Sequence, residues 1–196
     1  MKIIAVTNRR LCNNNFFEQI EKICKQYPFA VILREKDLDD KSYKKLFIEC
    51  NKICRKYNVN LYINSKINVA TELNCKNIQL PFTEFLNNPD KLNLFDNIAV
   101  SVHSLGEALT VEKLVKQTNQ NIFLITGHIF ETDCKKGLQP RGIKFLKEIC
   151  DNVDLPIFAI GGINENTIKQ LKNIKIEGVC LMSAFMKNPI TAIINN

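Results

Sequence analysis

One segment of the chain, residues 127–137, combines residue types that could move protons on a bound anion. It follows the apolar run at residues 122–125, which is typical of a buried strand. His128, Thr132 and Lys135 then supply an imidazole, a hydroxyl and an ammonium group. A titratable acid/base beside donors for anions is what proton transfer on a phosphorylated substrate requires. The segment therefore predicts an acid/base site, with His128 as the candidate catalytic residue.

Polar side chains also follow several other apolar runs of the sequence. Because side chains alternate along a strand, Arg34 and Lys36 share one side, and Glu35 is expected to face a neighbouring helix. The alternatives are a surface ion pair for Arg34 and capping roles for the amides, and His103 is also placed to orient its neighbours. The residues expected to bind substrate are Arg34, Lys36, Asn64, Gln79, Ser101, His103, Thr132 and Lys135.

Two further loops predict a phosphate site. Gly161 and Gly162 follow one apolar run, and Ser183 and Ala184 follow the last. Backbone N–H groups at helix starts bind phosphate without a cation, and the alternative is that the glycines only let the chain turn. Because both loops carry suitable residues, we expect them to hold a phosphate group together.

Eight apolar runs have the length and composition of buried strands, and a helical segment follows each. The predicted strands span residues 2–7, 30–33, 60–64, 77–80, 97–102, 122–125, 156–160 and 178–182. The predicted helices span residues 16–27, 42–57, 69–73, 83–92, a segment from Ser104 with a capping box to Glu107, 143–150, 164–171 and a short terminal segment. Such alternation predicts an α/β fold, a single-domain (β/α)8 TIM barrel over residues 1–196, with its site at the carboxyl ends of the strands.

An open doubly wound sheet is the alternative fold. It would need a glycine-rich turn after the first strand, and residues 6–10 contain no glycine. The length of 196 residues is short for a closed barrel, which usually has about 250. The closed barrel remains the better interpretation because eight strand–helix units fit it.

Composition narrows the class of protein further. The net charge of +7 is spread along polar helical stretches with Glu and Asp between the lysines, which argues against a nucleic-acid site. The 8 cysteines form no metal-ligand spacing, so reduced thiols in a cytoplasmic protein are expected, with no metal. No apolar stretch approaches a membrane span, and the apolar run at the N-terminus is too short for the hydrophobic region of a signal peptide, so none is expected.

Taken in order, these motifs resemble the thiamine phosphate synthase superfamily, and more closely its TenI branch, the thiazole tautomerases. The segment from residue 127, continued to Arg141-Gly142, carries the most specific part of the resemblance. The other matching segments are residues 33–36, 63–64, 79–81, 101–104, 159–163 and 182–183. The resemblance covers essentially the whole chain.

The resemblance implies a homo-oligomer, expected to be a dimer, that acts on a phosphorylated thiazole in thiamine biosynthesis. The tautomerase removes the ring C2 proton of a dearomatised carboxythiazole phosphate and protonates its exocyclic carbon, and it needs no cofactor. His128 matches the catalytic histidine, and imidazole exchanges a proton near neutral pH. Gly162 and Ser183 would hold the phosphate, and Lys135 would supply positive charge.

Three departures bear on the alternatives. The Mg2+-dependent synthase of the same superfamily has an Asp after the Asn of the third strand, where this chain has Ser65, and its acidic residue after the fourth strand also has no match within residues 79–83. Both carboxylates expected for the metal are therefore missing from the pattern. Ile32 stands where both branches have a polar residue. A non-catalytic barrel that binds a thiamine-pathway phosphate is the remaining alternative.

Overall fold

Eight parallel strands close on themselves in sequence order, from β1 beside β2 round to β8 beside β1. The computed structural model describes residues 1–116, 118–135 and 137–187, without the side chain of Cys134. The strands are β1 Lys2–Val6, β2 Ala30–Leu33, β3 Asn60–Asn64, β4 Asn77–Pro81, β5 Asn97–Val102, β6 Asn121–Gly127, β7 Ile157–Ile160 and β8 Gly178–Leu181. The closed barrel is confirmed, and the open doubly wound sheet is excluded.

Helices surround this barrel. They are α1 Phe16–Cys24, α2 Asp40–Lys56, α3 Ile67–Glu72, α4 Phe82–Asn87, α5 Pro89–Leu92, α6 Leu105–Val115, α7 Gly142–Asn152 and α8 Ser183–Lys187. Three short 3₁₀ turns add Arg9–Leu11, Asp133–Lys135 and Ile168–Leu171. In the part of the chain that is described, no helix is long and apolar enough to cross a membrane.

The strands carry apolar residues on both faces because both are covered. Side chains at one parity, such as Ile32, Phe123 and Phe158, fill the barrel interior. Those at the other parity, such as Leu33 and Leu124, pack with the helices in a larger outer core. Residues that continue the inward parity past each strand therefore face the mouth of the barrel.

Several predicted boundaries are wrong by a few residues. Helix α2 begins at Asp40 and not at residue 42, because the side chain of Asp39 accepts a hydrogen bond from the Ser42 amide and caps the helix two residues earlier. Strand β4 includes Pro81, and strand β6 continues to Gly127. Helix α3 begins at residue 67, β7 begins at residue 157, and α1 ends at residue 24.

The segment after β7 differs most from its prediction. Asn164 was expected to cap an α-helix reaching Leu171, but only a 3₁₀ turn over Ile168–Leu171 forms. The Asn164 side chain accepts hydrogen bonds from the amides of Asn166 and Thr167, which satisfies these donors locally. The predicted terminal helix is confirmed over Ser183–Lys187, and the rest of the terminus lies outside the described residues.

Candidate active site

The end of β6 leaves the sheet in very close contact with β7. A Cβ atom on Gly127 would lie 2.2 Å from the backbone oxygen of Ile160, so only glycine fits there. The chain then follows β7 outward, since the amide of Ile129 donates to the Ile160 oxygen at 2.9 Å. The backbone of His128 therefore lies between Gly127 and Ile129, both of which contact Ile160.

The side chain of His128 is buried, with 6% of its surface exposed. Its Nε2 atom lies 3.3 Å from the carbonyl oxygen of Leu138, in the loop that leads to α7. A carbonyl oxygen only accepts, so in a neutral ring Nε2 carries the proton and Nδ1 keeps a lone pair. Among the described residues Nδ1 has no partner, which leaves it able to accept a proton.

The turn Gly161–Gly162 packs directly against the segment that carries His128. Both glycines have positive φ, +100° and +67°. A Cβ on Gly161 would lie 2.3 Å from the Cβ of His128, and one on Gly162 would lie 2.3 Å from the backbone oxygen of Glu131. Only glycine therefore allows the turn after β7 to approach the segment of His128 this closely.

A cavity of about 470 Å³ opens between the β6–α7 loop and the ends of β7 and β8. Thr132, Lys135, Gly162 and Ser183 from the predicted site line it, together with Leu138, whose carbonyl holds His128. Leu11, Asn164 and Lys187 also line it, as do the acidic residues Glu131 and Asp133. The cavity thus combines hydroxyl, amide and ammonium donors, which suits a small phosphorylated ligand.

Cationic side chains converge beside this cavity. Burial lowers the pKa of Lys135, and the positive charges of Arg141, Arg34 and Lys36 lower it further. The guanidinium of Arg141 lies over the ring of Phe145, 5.3 Å from its centroid. A bound anion would offset part of the repulsion between these like charges. Arg34 and Lys36, predicted from strand parity, are therefore brought near Lys135 of the predicted loop.

This arrangement makes anion binding depend on pH. Lys135 must be charged to attract an anion, and because its pKa is lowered, it loses its proton at a lower pH than an ordinary lysine. We expect the affinity for inorganic phosphate, measured by calorimetry between pH 7 and 10, to fall as pH rises through this lowered pKa. Lys135→Arg, whose guanidinium stays charged, should retain affinity over the same range. An identical pH profile in both proteins would contradict the prediction.

Glu35 has a different partner from the one expected. It is buried, and it binds the loop after β1 and not a neighbouring helix. The Thr7 hydroxyl donates to it at 2.7 Å and Arg9 Nη1 donates at 3.0 Å. The backbone N–H of Arg34 in turn donates to the Thr7 oxygen at 2.9 Å. This network fixes the end of β2 and with it the position from which the Arg34 side chain leaves.

Three predicted polar residues form one hydrogen-bonded row across β3, β4 and β5. The Asn64 amide group donates to the Gln79 side-chain oxygen, and Gln79 Nε2 donates to Ser101 Oγ at 2.9 Å. All three continue the inward parity of their strands. Because the Ser101 oxygen is the acceptor in this row, its hydroxyl proton has no acceptor among the described residues and could be donated to a ligand. None of the three lines the cavity described above.

A buried phenol supports this row from behind. The Tyr43 hydroxyl donates to the Leu33 carbonyl at 2.5 Å and accepts from the backbone N–H of Asn64 at 3.2 Å. It therefore joins the ends of β2 and β3, which carry two of the predicted binding residues. Burial raises the pKa of Tyr43, so the phenol stays protonated at physiological pH.

Tyr43→Phe is expected to lower the free energy of unfolding by about 1–3 kcal/mol, because two buried backbone groups would lose their partner. For a chain of this size each kcal/mol lowers Tm by about 2–4 °C. Thermal unfolding measures the loss. Tyr57→Phe is the matched control, since the partly exposed Tyr57 hydroxyl bonds to side chains, namely the carboxylate of Glu21 at 2.6 Å and the ammonium of Lys56. An equal loss in both variants would contradict the assigned role.

His103 continues the inward parity of β5 beyond Ser101. Its Nδ1 atom lies 2.8 Å from the carbonyl oxygen of Gly127. Its backbone N–H donates to the Glu107 carboxylate at 2.6 Å, and the Glu107 amide donates to Ser104 Oγ at 3.1 Å. The predicted cap by Ser104 is confirmed, but the Glu107 carboxylate reaches one residue further back than a capping box requires.

The structure thus separates the predicted residues into connected groups. Thr132, Lys135, Gly162 and Ser183 share the cavity, whereas Ala184 does not line it. Gly161 and His128 contact each other, and neither lines the cavity. Lys136 lies outside the described residues. Sequence reasoning missed Lys187, for which no local signal exists, and it missed the charge of Arg141, although that residue belongs to the matching segment.

Glu84 was also missed. It lies in a polar pocket of about 200 Å³ with Ser65, just beyond the fourth-strand segment in which no carboxylate was found. The expectation that no carboxylate accompanies the ends of β3 and β4 is therefore wrong in this respect. Glu84 directly follows residue 83, so a comparison segment longer by one residue would have included it.

Comparison with known proteins gives matches along the whole barrel. The sequence profile of the family described as thiamine monophosphate synthase (TMP-TENI) matches residues 3–185. A relative from Aquifex aeolicus, provisionally named thiamine-phosphate synthase 2, is 33% identical over 95% of this chain and 98% of its own length. The thiamine-phosphate synthase of Fusobacterium nucleatum is 30% identical over 94% of this chain and 89% of its own.

A solved structure supports the same fold. The thiamine phosphate pyrophosphorylase of Pyrococcus furiosus superposes with a TM-score of 0.78 and 24% identity, covering 95% of this chain and 88% of that one. At this identity the likeness concerns the fold alone. The names of the relatives are those of the transferase, and they do not name the tautomerase branch that the sequence motifs favour.

Proposed function

The chain belongs to the thiamine monophosphate synthase family, and from this membership we propose that it is an enzyme of thiamine biosynthesis acting on a phosphorylated thiazole. The phosphate would lie in the cavity beside Gly162 and Ser183. The cations Arg34, Lys36 and Lys135 would hold a second anionic group, such as a ring carboxylate. The remaining question is which reaction the chain performs on this ligand.

The reaction that we propose is the tautomerisation of a dearomatised carboxythiazole phosphate to its aromatic isomer. The observation that carries it is the position of His128, buried beside the glycine turn with one ring nitrogen held by Leu138 and the other without a partner among the described residues. The C2 proton would pass to His128 Nδ1 and return to the exocyclic carbon, so the net proton count does not change. Formation of the aromatic ring supplies the driving force.

A divalent metal would be needed by the transferase, and the residues at the ends of β3 and β4 do not fit Mg2+. The pocket of Ser65 and Glu84 is also lined by the ammonium groups of Lys66 and Lys91, and its other carboxylate, Asp40, is paired with Lys66 at 2.6 Å. Mg2+ prefers an octahedral set of oxygens, and ammonium groups oppose its charge.

Thiamine-phosphate synthase is the second candidate function, and the names of the relatives favour it. Its substrate carries a pyrophosphate, and the converging charges of Lys135, Arg141, Arg34 and Lys36 would suit that group as well. The tautomerase proposal instead rests on residues of this chain. These are His128, and Lys66 and Lys91, whose charges in the pocket of Ser65 oppose a metal ion. The two candidates differ in their need for metal, and this difference makes them separable by experiment.

Ile32 affects both candidates. It is buried in the barrel interior, 2% exposed, and it packs with apolar neighbours. It therefore offers no hydrogen bond to a ligand where a polar residue was expected from the resemblance. A barrel that binds the ligand without converting it would be compatible with this replacement, and it forms the third outcome of the test.

The test gives the purified chain two sets of substrates. In the first arm, dearomatised carboxythiazole phosphate is added with a metal chelator and aromatisation is followed by ultraviolet absorbance. In the second, aromatic thiazole phosphate and the aminopyrimidine pyrophosphate are added with Mg2+, and pyrophosphate release is measured. We expect conversion in the first arm only. Pyrophosphate release would establish the transferase, and binding without either reaction would establish a non-catalytic binder.

Two further expectations remain predictions. A homodimer is expected from the resemblance, and the molecular mass in solution would test it. A cytoplasmic location is expected from the composition of the chain, and cell fractionation would test it.

A further inference from the structure

We propose that His103 is a positioning residue that acts on His128 through the peptide group between Gly127 and His128. The inference rests on the proposed proton transfer at His128 for its effect on rate, but not for its effect on structure. The observation behind it is the contact of 2.8 Å between His103 Nδ1 and the Gly127 carbonyl oxygen. That carbonyl belongs to the peptide group whose nitrogen is the backbone nitrogen of His128.

The contact determines which tautomer the neutral His103 ring adopts. The Gly127 oxygen only accepts hydrogen bonds, so His103 Nδ1 must be the donor. In the neutral ring Nε2 then carries the lone pair. The role of His103 in this contact is therefore that of an N–H donor, and it requires no change of charge.

Both ends of the contact are anchored independently. On one side, the backbone N–H of His103 donates to the Glu107 carboxylate at 2.6 Å, at the start of α6. On the other side, Gly127 is pressed against Ile160, where a Cβ would approach the backbone oxygen to 2.2 Å. Since neither partner can move far, the hydrogen bond sets the orientation of the Gly127 carbonyl and hence of the peptide plane that leads to His128.

His128 needs this second point of control because its own ring is held weakly. The contact between its Nε2 and the Leu138 oxygen measures 3.3 Å, which is long for an N–H···O hydrogen bond. Leu138 belongs to an exposed loop. Without His103, the Gly127 carbonyl would lose its donor and the peptide plane that leads to His128 would be less constrained, and small misplacements of a catalytic group cost about 100-fold in rate.

Three substitutions separate the two nitrogens of His103. The amide nitrogen of Asn in His103→Asn can occupy the place of Nδ1 and keep the donor to Gly127. The longer side chain in His103→Gln places its amide where Nε2 lies, so that the bond to Gly127 is lost. His103→Leu keeps approximate bulk and provides no donor. None of them changes His128 itself.

If His103 positions His128, kcat for aromatisation should fall by about 10- to 100-fold in His103→Leu and His103→Gln. His103→Asn should stay within about threefold of the native chain, with an unchanged pH profile and unchanged KM in all three variants. A loss in His103→Asn equal to that in His103→Leu would overturn the proposal, because it would show that Nε2 takes part in the chemistry. Full activity in all three would overturn it as well.

A second measurement keeps the test independent of any activity. The chain has 2 histidines, so each His103 variant retains one imidazole, whose ¹⁵N shifts report the tautomer of His128 directly. We expect the Nε2–H form of His128 in the native chain and in His103→Asn, and a mixture of tautomers in His103→Leu. Unchanged shifts in His103→Leu would refute the positioning role. Failure of the proposed function alone would leave this readout intact, so the two failures are distinguishable.

Discussion

His128→Asn is expected to lower kcat for aromatisation of the thiazole phosphate by about 10²- to 10⁴-fold, the usual contribution of one general acid/base. The affinity for substrate should change little, because the cavity is lined by other residues, among them Lys135, Gly162 and Ser183. Steady-state kinetics would give kcat, and calorimetry with the aromatic product would give the affinity. A loss confined to kcat would show that the imidazole acts in the transition state.

The matched control for this variant is His128→Gln. Its amide nitrogen can take the place of Nε2 and keep the contact with the Leu138 carbonyl, but it cannot exchange a proton near neutral pH. Both variants should therefore be inactive while folding normally. Activity in His128→Gln near that of the native chain would show that His128 only holds the loop, and the proton-transfer assignment would be wrong.

Gly161→Ala has the second large effect that we expect. The new Cβ would lie 2.3 Å from the Cβ of His128, and the φ of +100° is unfavourable for any residue with a side chain. Left-handed backbone costs about 1–2 kcal/mol, and overpacking of a buried contact adds about 1–3 kcal/mol. We expect the free energy of unfolding to fall by about 2–5 kcal/mol, and kcat to fall with it because His128 must move. Thermal unfolding and steady-state kinetics measure the two effects.

Gly137→Ala separates the two causes. Gly137 has a similar φ of +82°, but a Cβ there would meet nothing within 4 Å. Gly137 lines the cavity, but it does not touch His128, so this variant should show the backbone cost alone and keep a kcat well above that of Gly161→Ala at temperatures where it is folded. If both variants lost the same stability and the same activity, the contact between the glycine turn and His128 would have no functional weight.

One ion pair near the same end of the barrel makes a contribution to stability that depends on acidic pH. Arg9 holds the pKa of Asp37 well below its usual range through hydrogen bonds of 2.6 and 2.5 Å. A carboxyl whose folded pKa is depressed contributes stability above its unfolded pKa and loses it as pH falls. The pair therefore supports the β1 and β2 loops at neutral pH, where Arg34 has to meet the ligand, and it weakens only in strong acid.

The strands could be predicted well from the sequence, and the helices less well. Strands β2, β3 and β5 have the predicted bounds, because their apolar runs are buried on both faces and end in polar residues. The segment after Asn164 could not be predicted, since the choice between an α-helix and a short 3₁₀ turn depended on local hydrogen bonds from one side chain. Similarly, the start of α2 depended on a cap at Asp39 that the periodicity of apolar residues does not reveal.

The candidate site shows the same division. The polar residues Asn64, Gln79 and Ser101 could be singled out from their places at the ends of apolar runs, and the structure joins them in a hydrogen-bonded row. The alternation of side chains along the strand predicted only the direction of the Glu35 side chain. Its hydrogen-bond partners lie in the loop after β1. The contribution of Lys187 to the cavity was invisible, because it depends on how the last helix folds back over the first loop.

The sequence by itself determined the eight strand–helix units, the polar residues that follow the strands, and the family. These are properties of neighbouring residues, which the local order of apolar and polar residues makes readable. Only the tertiary structure decided that Gly161 touches His128 and that His103 holds the Gly127 carbonyl. Those contacts join residues from different strands and loops, and their distances are set by closure of the barrel, which no local pattern encodes.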